Sequence, residues 1–340
     1  MATSFIARHA LHALEMSTGP VVESVELKGF RGIRACEEPV GLSRFTVLIG
    51  RNNAGKTSVL EALALLSVDT LSSTAQPAKW RWDELLGHLH GRPLSLVYGY
   101  TGEATIKYGI RGREVLRKIR GGSISSPRIN GEEAGISGLT ELLETETLGS
   151  FSVFLPNDTE FLRECELAME SESAWHEVEK SGASVSIVRD LVAKVVPDRF
   201  TEAIVRFEHI ALRKELPDGR VLYVRAADLG DGVERVLIYG LWLETYRPKL
   251  VLWDDIEASA HPGLVEAVLE WLASRDWQVV LSTHSLDVLD RLVAVEPEGA
   301  SVVVLRKGAD DVLRPRVLGL DELREMLESH VDPRKVVDIL

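Results

Sequence analysis

The sequence predicts an α/β fold in which a mixed, mostly parallel core sheet is covered by helices and carries an antiparallel β-subdomain and a helical insertion. Two observations predict it. The apolar run 45–49 enters a glycine-rich loop, and an apolar helix at 59–66 leaves that loop. Beyond residue 250, short apolar strands alternate with helices, which is typical of parallel strands joined by crossover helices.

The glycine-rich loop has the spacing of a phosphate-binding P-loop. Residues 50–58 fit the pattern G-x-x-x-x-G-K-[ST]. Glycines let successive backbone N–H groups point at phosphate oxygens, Lys56 can reach the β- and γ-phosphates, and Thr57 can offer its hydroxyl to Mg²⁺. The alternative, a glycine-rich turn with a chance lysine, is disfavoured by the strand–loop–helix context. The residues expected to bind a nucleoside triphosphate are Arg51, Asn52, Asn53, Ala54, Gly55, Lys56, Thr57 and Ser58.

Composition places the chain among ordinary soluble proteins. Of its 340 residues, 45% are hydrophobic and 27% charged, and the formal net charge of −13 excludes a surface that is basic all over. No apolar run approaches the roughly 18 residues of a membrane span, and the first 20 residues lack the apolar core of a secretory signal. We therefore expect a cytoplasmic protein with no membrane partner. Cys36 and Cys165 have no metal spacing and are expected to be buried thiols.

The N-terminal half before residue 200 gives uneven signals. Alternation predicts a strand at 21–28, followed by a turn at 29–32. A helix is predicted at 80–89, and an antiparallel pair at 94–100 and 104–108. Residues 111–138 are expected to be loops and short strands. The acidic stretch 139–196 is mostly helical in pattern, with one strand at 150–155.

The C-terminal half gives clearer signals. One long strand is predicted at 203–216, a turn at 217–219 and a returning strand at 220–225. The other predicted elements are strands at 250–253, 278–283 and 301–306 and helices at 233–246, 264–273 and 286–292.

Two carboxylates follow the strand 250–253. A P-loop needs such a partner, because an Asp at a strand end can hold Mg²⁺ beside Thr57 and a second carboxylate can orient the attacking water. We assign Asp254 to Mg²⁺ and Asp255 to the water. His284, directly after the next strand, can hydrogen-bond a γ-phosphate or the water, although a lone histidine is more often structural.

The segment 229–234 is a second feature that can bind phosphate. Gly230, Asp231 and Gly232 precede an apolar helix, so their backbone N–H groups and the helix N-terminus can face an anion. One site does not need two such features for the same phosphate, but two copies of the chain could each supply one to the other. A plain turn with Asp231 as the N-cap of the helix remains an open alternative.

In this order, the motifs resemble those of ABC-type ATPase heads of the RecF, SMC (structural maintenance of chromosomes) and OLD (overcoming lysogenization defect) group, whose small relatives are labelled AAA-family ATPases. The resemblance covers about residues 21–320. The matching stretches are 29–32 with the usual opening of the family, 50–58 with Walker A, 229–234 with the ABC signature, 250–255 with Walker B, 257–262 with the D-loop and His284 with the switch histidine.

The resemblance implies Mg²⁺-dependent hydrolysis of ATP to ADP and phosphate. It also implies an ATP-dependent, head-to-tail homodimer in which one P-loop and the other chain's signature hold each ATP. The implied organisation is an N-terminal arm (1–20), an N-terminal half of the ATPase core with P-loop and β-subdomain (21–138), a helical insertion (139–200) and a C-terminal half with signature, Walker B and switch histidine (201–340). The expected setting is DNA repair or anti-phage defence.

Three departures from the family pattern matter. Asp255 stands where a glutamate is usual and is one methylene shorter, so we expect slow hydrolysis or a share of the catalytic work for Glu257. Gly230 stands where a serine is common. No convincing Q-loop is present, and the candidates are Gln76-Pro77 or a loop in 80–84.

A second function remains open, that of a nucleotide-sensing regulatory or scaffold subunit with little hydrolysis that holds a nuclease or toxin effector. OLD-type proteins carry a nuclease domain after the head, and because this chain ends at Leu340 we expect any nuclease to be a separate protein. Nucleic acid could also bind a basic patch, although a solvated strand face is the plainer interpretation. The patch consists of Lys107, Arg111, Arg113, Arg117, Lys118 and Arg120.

Overall fold

The structure is a computed structural model that describes residues 19–68 and 93–338. Its strands are β1 Val22–Phe30, β2 Ile33–Cys36, β3 Val40–Gly41, β4 Phe45–Ile49, β5 Glu103–Ile110, β6 Arg113–Arg120, β7 Ser123–Ile124, β8 Arg128–Ile129, β9 Glu132–Glu133, β10 Ser152–Leu155, β11 Phe200–Arg206, β12 His209–Glu215, β13 Val221–Arg225, β14 Leu250–Trp253, β15 Gln278–Ser282, β16 Ala300–Lys307 and β17 Val312–Gly319.

The helices connect and cover these strands. They are α1 Lys56–Ala64, α2 Gly135–Leu143, α3 Thr159–Glu170, α4 Glu172–Ser181, α5 Ala183–Ile187, α6 Ala193–Val195, α7 Asp231–Tyr246, α8 Pro262–Ala273, α9 Leu286–Val295 and α10 Leu320–Glu328. A π-helical turn, Val188–Val192, joins α5 to α6, and six short 3₁₀ segments occur elsewhere in the described residues. In the part of the chain described, no helix has the length and apolarity needed to cross a lipid bilayer.

Fourteen of the described strands form one mixed sheet, which confirms the predicted α/β class. Its order is β10-β14-β15-β4-β16-β17-β2-β1-β5-β6-β8-β9, with β3 beside β1 and β7 beside β6. The five strands from β10 to β16 are parallel, and every residue of β4, β10, β14 and β15 is buried. Both faces of this part are therefore covered, as unbroken apolar strands require.

Beyond β17, which pairs with β16 in antiparallel and with β2 in parallel, the other strands of the large sheet form the expected antiparallel β-subdomain. Strands β1, β5 and β6 pair in antiparallel register, and two contacts tie them to the P-loop helix α1 and its end. The hydroxyl of Tyr108 donates to the carbonyl of Ala62 over 2.7 Å, and Arg117 Nη1 donates to the carbonyl of Leu65 over 3.3 Å. The subdomain thus packs on the helix that leaves the P-loop.

The predicted pairing of 94–100 with 104–108 is wrong. Residues Pro93–Leu96 and Tyr98–Tyr100 form 3₁₀ turns, and β5 pairs instead with β6. The hairpin turn is Arg111-Gly112, where both residues have positive φ (49° and 71°), as a tight two-residue turn demands. Since β1 occupies the other edge of β5, no edge is left for 94–100.

The predicted long strand at 203–216 is also wrong, because Phe207 and Glu208 interrupt it. Both adopt left-handed backbone angles, with φ of 51° and 61°, and they fold the segment into the hairpin β11–β12. The predicted turn and returning strand are confirmed, since β13 pairs with β12. These three strands form a small second sheet.

The division of the chain into domains stays a prediction. Strand β10 lies within the predicted insertion 139–200, yet it is part of the core sheet. Several expectations lie outside the described residues: most of the arm 1–20, the helix 80–89 and both Q-loop candidates.

The two cysteines differ in exposure. Cys165 is buried, whereas Cys36 is only partly buried and its Sγ accepts the N–H of Leu27 at 3.3 Å. Burial raises the pKa of Cys36 to about 11 and raises the pKa of Cys165 as well. Both thiols are therefore protonated near neutral pH.

Candidate functional site

The candidate site lies where three neighbouring parallel strands end. Strand β4 leads into the P-loop, β14 into Asp254 and Asp255, and β15 into Thr283 and His284. Because parallel strands present their carboxyl ends at one edge of a sheet, segments far apart in sequence converge here. The structure brings together Lys56, Thr57, Asp254, Asp255, Glu257 and His284.

The P-loop backbone depends on two of its glycines. Gly50 has φ of 151°, and a Cβ on it would lie 2.4 Å from the carbonyl oxygen of Leu305. Gly55, with φ of 103°, is the left-handed residue that precedes α1. Larger residues would therefore either collide or strain the loop. Of the remaining loop residues, Ala54 is buried, Ser58 is half-buried, and Arg51, Asn52 and Asn53 are exposed.

Lys56 points into the site and is almost fully buried, with 5% of its surface exposed. Its Nζ donates to the carbonyls of Gly50 (3.1 Å) and Arg51 (3.4 Å), and it lies 3.3 Å from Nδ1 of His284. Burial lowers the pKa of Lys56, whereas the three nearby carboxylates, Asp255 foremost, raise it. The loop carbonyls carry only partial negative charge, so they balance the ammonium group of Lys56 incompletely. A bound phosphate would supply the full negative charge.

Asp254 is the most buried acid of the site and joins two strand ends. Its Oδ2 accepts the Thr57 hydroxyl at 2.8 Å, and its Oδ1 accepts the Ser282 hydroxyl. Burial raises the pKa of Asp254. A hydroxyl and a carboxylate are the hard oxygen ligands that Mg²⁺ takes alongside substrate phosphates, so Thr57 and Asp254 fit this ion. Among the described residues, no cluster of three or more His, Cys, Asp or Glu forms an all-protein metal site.

Asp255 adopts a strained backbone beside Asp254. Its φ is 47°, a left-handed value that side-chain-bearing residues rarely adopt, and its N–H donates to Ser282 Oγ over 2.9 Å. Its Oδ1 lies 3.5 Å from Nε2 of His284, and its Oδ2 accepts the Nδ2–H of Asn157 at 3.3 Å. The carboxylate is thus aimed between a histidine and an amide.

His284 is held through its backbone on both sides. Its N–H donates to Glu257 Oε1 over 2.6 Å, and its carbonyl accepts Arg334 Nη1 at 2.6 Å. Because a charged Lys56 can only donate, a hydrogen bond between its Nζ and Nδ1 requires Nδ1 to accept, which assigns the ring proton to Nε2, the nitrogen nearest Asp255. Glu257 has its second oxygen, Oε2, buried without a hydrogen-bond partner among the described residues. Its observed contact is with the peptide of His284, and its share in hydrolysis stays a prediction.

The signature-like segment lies elsewhere, at the start of α7. Gly230 precedes the helix with φ of 88° and ψ of 143°, and no side chain caps it, so the interpretation of Asp231 as N-cap is wrong. Gly232 packs on the D-loop-like segment, where a Cβ would lie 2.3 Å from the carbonyl oxygen of Ser259. A groove beside it is lined by 229–233 together with Ser259 and His261.

Two functional candidates, Asn157 and Arg235, were not predicted from the sequence. Asn157 follows β10, whose register with β14 sets Leu155 opposite Trp253, so Pro156 and Asn157 lie level with the two acids. Arg235, on α7, donates to Asn157 Oδ1 over 2.8 Å. The sequence feature that could have identified Asn157 is the apolar strand 152–155, which is followed by Pro-Asn. That strand lay within the predicted helical insertion.

The predicted basic patch is not a continuous cationic surface. Arg117 has no exposed surface and donates to the carbonyls of Leu65, Val68 and Ser125, so its inclusion in the patch is wrong. Three other members are paired with carboxylates: Lys107 with Glu26, Arg111 with Glu144 and Lys118 with Glu103. Much of the positive charge is therefore already neutralised.

Two family profiles match the chain, and between them they cover both halves of the site. Residues 21–107 match an AAA ATPase domain, and residues 155–290 match an AAA domain described as putative AbiEii toxin, Type IV TA system. No match was found among curated proteins.

Solved structures similar to this chain include SMC heads from several organisms. The SMC head of Pyrococcus furiosus with an extended coiled coil, bound to the C-terminal domain of ScpA, has a TM-score of 0.59 at 14% identity, covering 92% of this chain and 99% of that chain. The head from Pyrococcus yayanosii has a TM-score of 0.53 at 12% identity and covers 92% of this chain and 99% of that chain. At these identities the likeness concerns the fold, and it extends over nearly the whole of both chains.

Proposed function

We propose that this chain, an ABC-type ATPase of the AAA and SMC-like kind, binds ATP with Mg²⁺, hydrolyses it slowly and uses it to close two copies head to tail. The observation that carries the proposal is the His284 ring, whose two nitrogens lie 3.3 Å from Lys56 Nζ and 3.5 Å from Asp255 Oδ1. This arrangement joins the phosphate-binding lysine to the carboxylate proposed to act on water.

Each side chain then has a distinct role in the proposed reaction. Lys56 would bind the β- and γ-phosphates, and Thr57 and Asp254 would hold Mg²⁺, whose charge would neutralise the developing phosphate charge. Asp255 orients the attacking water and accepts its proton, and the Nε2–H of His284, which otherwise faces Asp255, would turn to donate toward the γ-phosphate when ATP is bound. The backbone of Arg51–Gly55 and Ser58 at the start of α1 contribute further donors to the phosphates.

The second half of the site would come from another copy of the chain. The N–H groups of Gly230, Asp231 and Gly232 are free of intrahelical partners by their position at the start of the 16-residue helix α7, so they can meet a γ-phosphate. Because Gly230 lacks the hydroxyl of a serine, this contact would rely on backbone N–H groups. Two identical chains can satisfy each other in this way at two symmetric sites.

Slow turnover is expected from the geometry of Asp255. Its carboxylate is one methylene shorter than a glutamate, and both oxygens already face protein groups, Asn157 and His284. A displacement of the water by about 1 Å can lower the rate about 10²-fold.

The direct test is the size of the protein with and without ATP and Mg²⁺, measured by light scattering on wild type and on Lys56→Ala. We expect wild type to dimerise with ATP and return to monomer on hydrolysis, and Lys56→Ala to stay monomeric. A wild-type protein whose size and compactness ignore ATP would overturn the proposed dimer.

A regulatory subunit with little hydrolysis is the second candidate. It is favoured by Asp255 and by the profile that matches 155–290, whose description names a putative toxin of a toxin–antitoxin system. The SMC heads bound to ScpA likewise make a separate protein partner a reasonable proposal, with a nuclease or toxin as its class and DNA repair or defence in the cytoplasm as its setting. Nucleic-acid contact would rest on Arg113 and Arg120, which are exposed.

Single-turnover kinetics separate the ATPase from the regulatory subunit, because the regulatory subunit would retain unhydrolysed ATP over hours.

A further inference from the structure

The tip of the β11–β12 hairpin presents an aromatic side chain to solvent from a strained turn. The strand pairing ends at Arg206 and His209, so the turn consists of Phe207 and Glu208 alone, with φ of 51° and 61°. A two-residue turn of this kind favours Asn-Gly, because larger side chains strain a left-handed backbone. Phe207 is nevertheless 82% exposed, more than any other large apolar side chain among the described residues. Neither burial nor turn geometry within the chain therefore explains this phenylalanine.

Arg206 joins Phe207 to a second exposed ring. Its Cζ lies 5.1 Å from the ring centroid of Phe207 and 4.1 Å from that of Tyr223, which is 41% exposed. Cation–π attraction holds the guanidinium there, and no carboxylate of the described residues forms an ion pair with it. Arg206, Phe207 and Tyr223 thus form one cationic, aromatic projection, which we call the hairpin knob.

A groove of opposite charge adjoins the hairpin knob, and its volume is about 950 Å³. It is lined by Val205 of β11 and, where α3 meets α4, by Glu170, Glu172, Trp175, His176 and Glu179. No lysine or arginine of the described residues forms an ion pair with these three carboxylates. Glu170 and Glu179 instead contact His209 and the indole N–H of Trp175, at 3.6 Å and 3.2 Å. This acidic groove therefore offers negative charge and an aromatic wall, which a cationic, aromatic projection can fill.

The hairpin knob cannot enter the acidic groove of its own chain. Val205, which lines the groove, directly precedes Arg206, and the N–H of Ile210 donates to Glu170 Oε1 over 3.2 Å. Both strands of the hairpin are thus fixed at the edge of the groove, and the ring of Phe207 projects past this edge into solvent. A knob and a groove that lie side by side are self-complementary, because a two-fold rotation brings each knob to the groove of the other copy.

We propose that a second copy of this chain docks on this surface as a two-fold dimer, with Phe207 of each copy packed against Trp175 of the other and Arg206 facing Glu172. Aromatic residues and arginine are the side chains that most often carry binding energy at interfaces, and opposite charges fix the register. The dimer forms without nucleotide and uses no residue of the P-loop or of the signature-like segment. It therefore goes beyond the proposed ATP-closed dimer and gives every chain a second two-fold contact.

The affinity of this dimer follows from the small size of the contact. The hairpin knob and the acidic groove comprise far fewer residues than the roughly 20–30 per side of a standard interface, so weak association is expected. We expect a Kd of about 10–100 μM. The nucleotide-free chain is then monomeric at about 1 μM, the concentration suited to the ATP-dependent test, and mostly dimeric at about 500 μM.

The first test is sedimentation of the chain in EDTA without nucleotide, from about 1 to 500 μM. The variant replaces the strained turn through Phe207→Asn combined with Glu208→Gly. We expect it to resist urea better than wild type, because the turn is relaxed, and yet to stay monomeric throughout this range. Val317→Asn, which removes another exposed apolar side chain, is the control and should dimerise as wild type does. A monomeric wild type, or a turn variant that still dimerises, would overturn the proposal.

Charge exchange tests the pairing of knob with groove. Arg206→Glu and Glu172→Arg should each weaken dimerisation at least about 10-fold. A chain that carries both should return to within about 3-fold of the wild-type Kd, because each copy then supplies the exchanged pair. Glu177→Arg is the matched control and should leave the Kd within about 3-fold, since Glu177 lies on the same helix, pairs with Lys180 and does not line the groove. A double variant that dimerises no more tightly than the single ones would contradict the proposed docking.

Lys56→Ala distinguishes this dimer from the ATP-closed dimer. It should dimerise like wild type at about 500 μM without nucleotide, because the hairpin knob and the acidic groove are intact, and fail to dimerise with ATP at about 1 μM. Nucleotide-free dimers of a protein whose mass ignores ATP would reject only the proposed ATP closure. ATP-driven dimers of a protein that stays monomeric without nucleotide at about 500 μM would reject only the hairpin-mediated dimer.

Discussion

The hydroxyl of Thr57 donates a 2.8 Å hydrogen bond to Oδ2 of Asp254, joining residues 197 positions apart in the sequence. This bond closes the P-loop helix onto the end of β14. Because Mg²⁺ would take both oxygens as ligands, the two side chains are already arranged for it before the ion arrives. The cost is a carboxylate that is almost completely buried.

Asp254→Asn is expected to abolish Mg²⁺-dependent turnover and yet to stabilise the nucleotide-free protein. Burial raises the pKa of Asp254 above its value in the unfolded chain, so the folded protein binds the proton more tightly. As the pH rises from about 4 through the raised pKa, charging this group costs stability, which asparagine avoids. Urea unfolding in EDTA at several pH values measures this. A variant no more stable than wild type at neutral pH would contradict the prediction.

Asp255→Glu is expected to raise kcat, by about 10-fold, because the added methylene brings the carboxylate nearer the water. Asp255→Asn should abolish turnover, and Glu257→Gln should lower it by loosening the His284 peptide that Glu257 Oε1 holds. Phosphate release measured at saturating ATP and Mg²⁺ compares the three. Unchanged rates in both Asp255→Asn and Glu257→Gln would remove these residues from the reaction.

Arg334→Ala is expected to lower kcat about 10-fold while leaving KM for ATP nearly unchanged. The arginine donates to the His284 carbonyl over 2.6 Å and is itself held by Asp332, so its loss frees the histidine segment without touching the P-loop. The control is Arg324→Ala, a partly exposed arginine paired with Asp321 and Glu296. Similar kinetics in the two variants would deny Arg334 a positioning role.

Arg117→Ala is expected to destabilise the fold by about 2–4 kcal/mol, because it leaves a cavity and deprives the carbonyls of Leu65, Val68 and Ser125 of their donor. The neighbouring exposed Arg120→Ala should change the free energy of unfolding by less than about 0.5 kcal/mol. Urea unfolding followed by tryptophan fluorescence measures the free energy of unfolding of both variants. Equal, small effects would place Arg117 at the surface after all.

The parts of the site that could be predicted from sequence are those in which a functional side chain lies next to a recognisable apolar strand or helix. Strand, loop and helix around Lys56 are contiguous, and Asp254, Asp255 and His284 each directly follow an apolar strand that the core sheet contains. Their placement needed only the rule that parallel strands end together. The fold class followed from the same alternation.

What could not be predicted depends on contacts between distant segments. Asn157 meets Asp255 across 98 residues, because β10 lies beside β14 only after the intervening chain has folded. The turn at Phe207-Glu208 contains neither glycine nor proline, so nothing in composition announces it. Arg117 lies on the same face of β6 as the buried Val115 and Ile119, but its charge favoured a place at the surface, and its burial depends on the carbonyls that the end of α1 offers it.

The order of strands in the core also constrains when the site can form during synthesis. Strand β4 is fully apolar and buried, and its two neighbours, β15 and β16, are supplied by residues 278–307. In a nascent chain that ends before β15, strand β4 has neither of its neighbours. Its unpaired edges could then pair with other chains. Nucleotide protection against proteolysis should therefore appear only in ribosome-bound chains that have extruded β16. Protection in chains arrested before residue 278 would contradict this dependence.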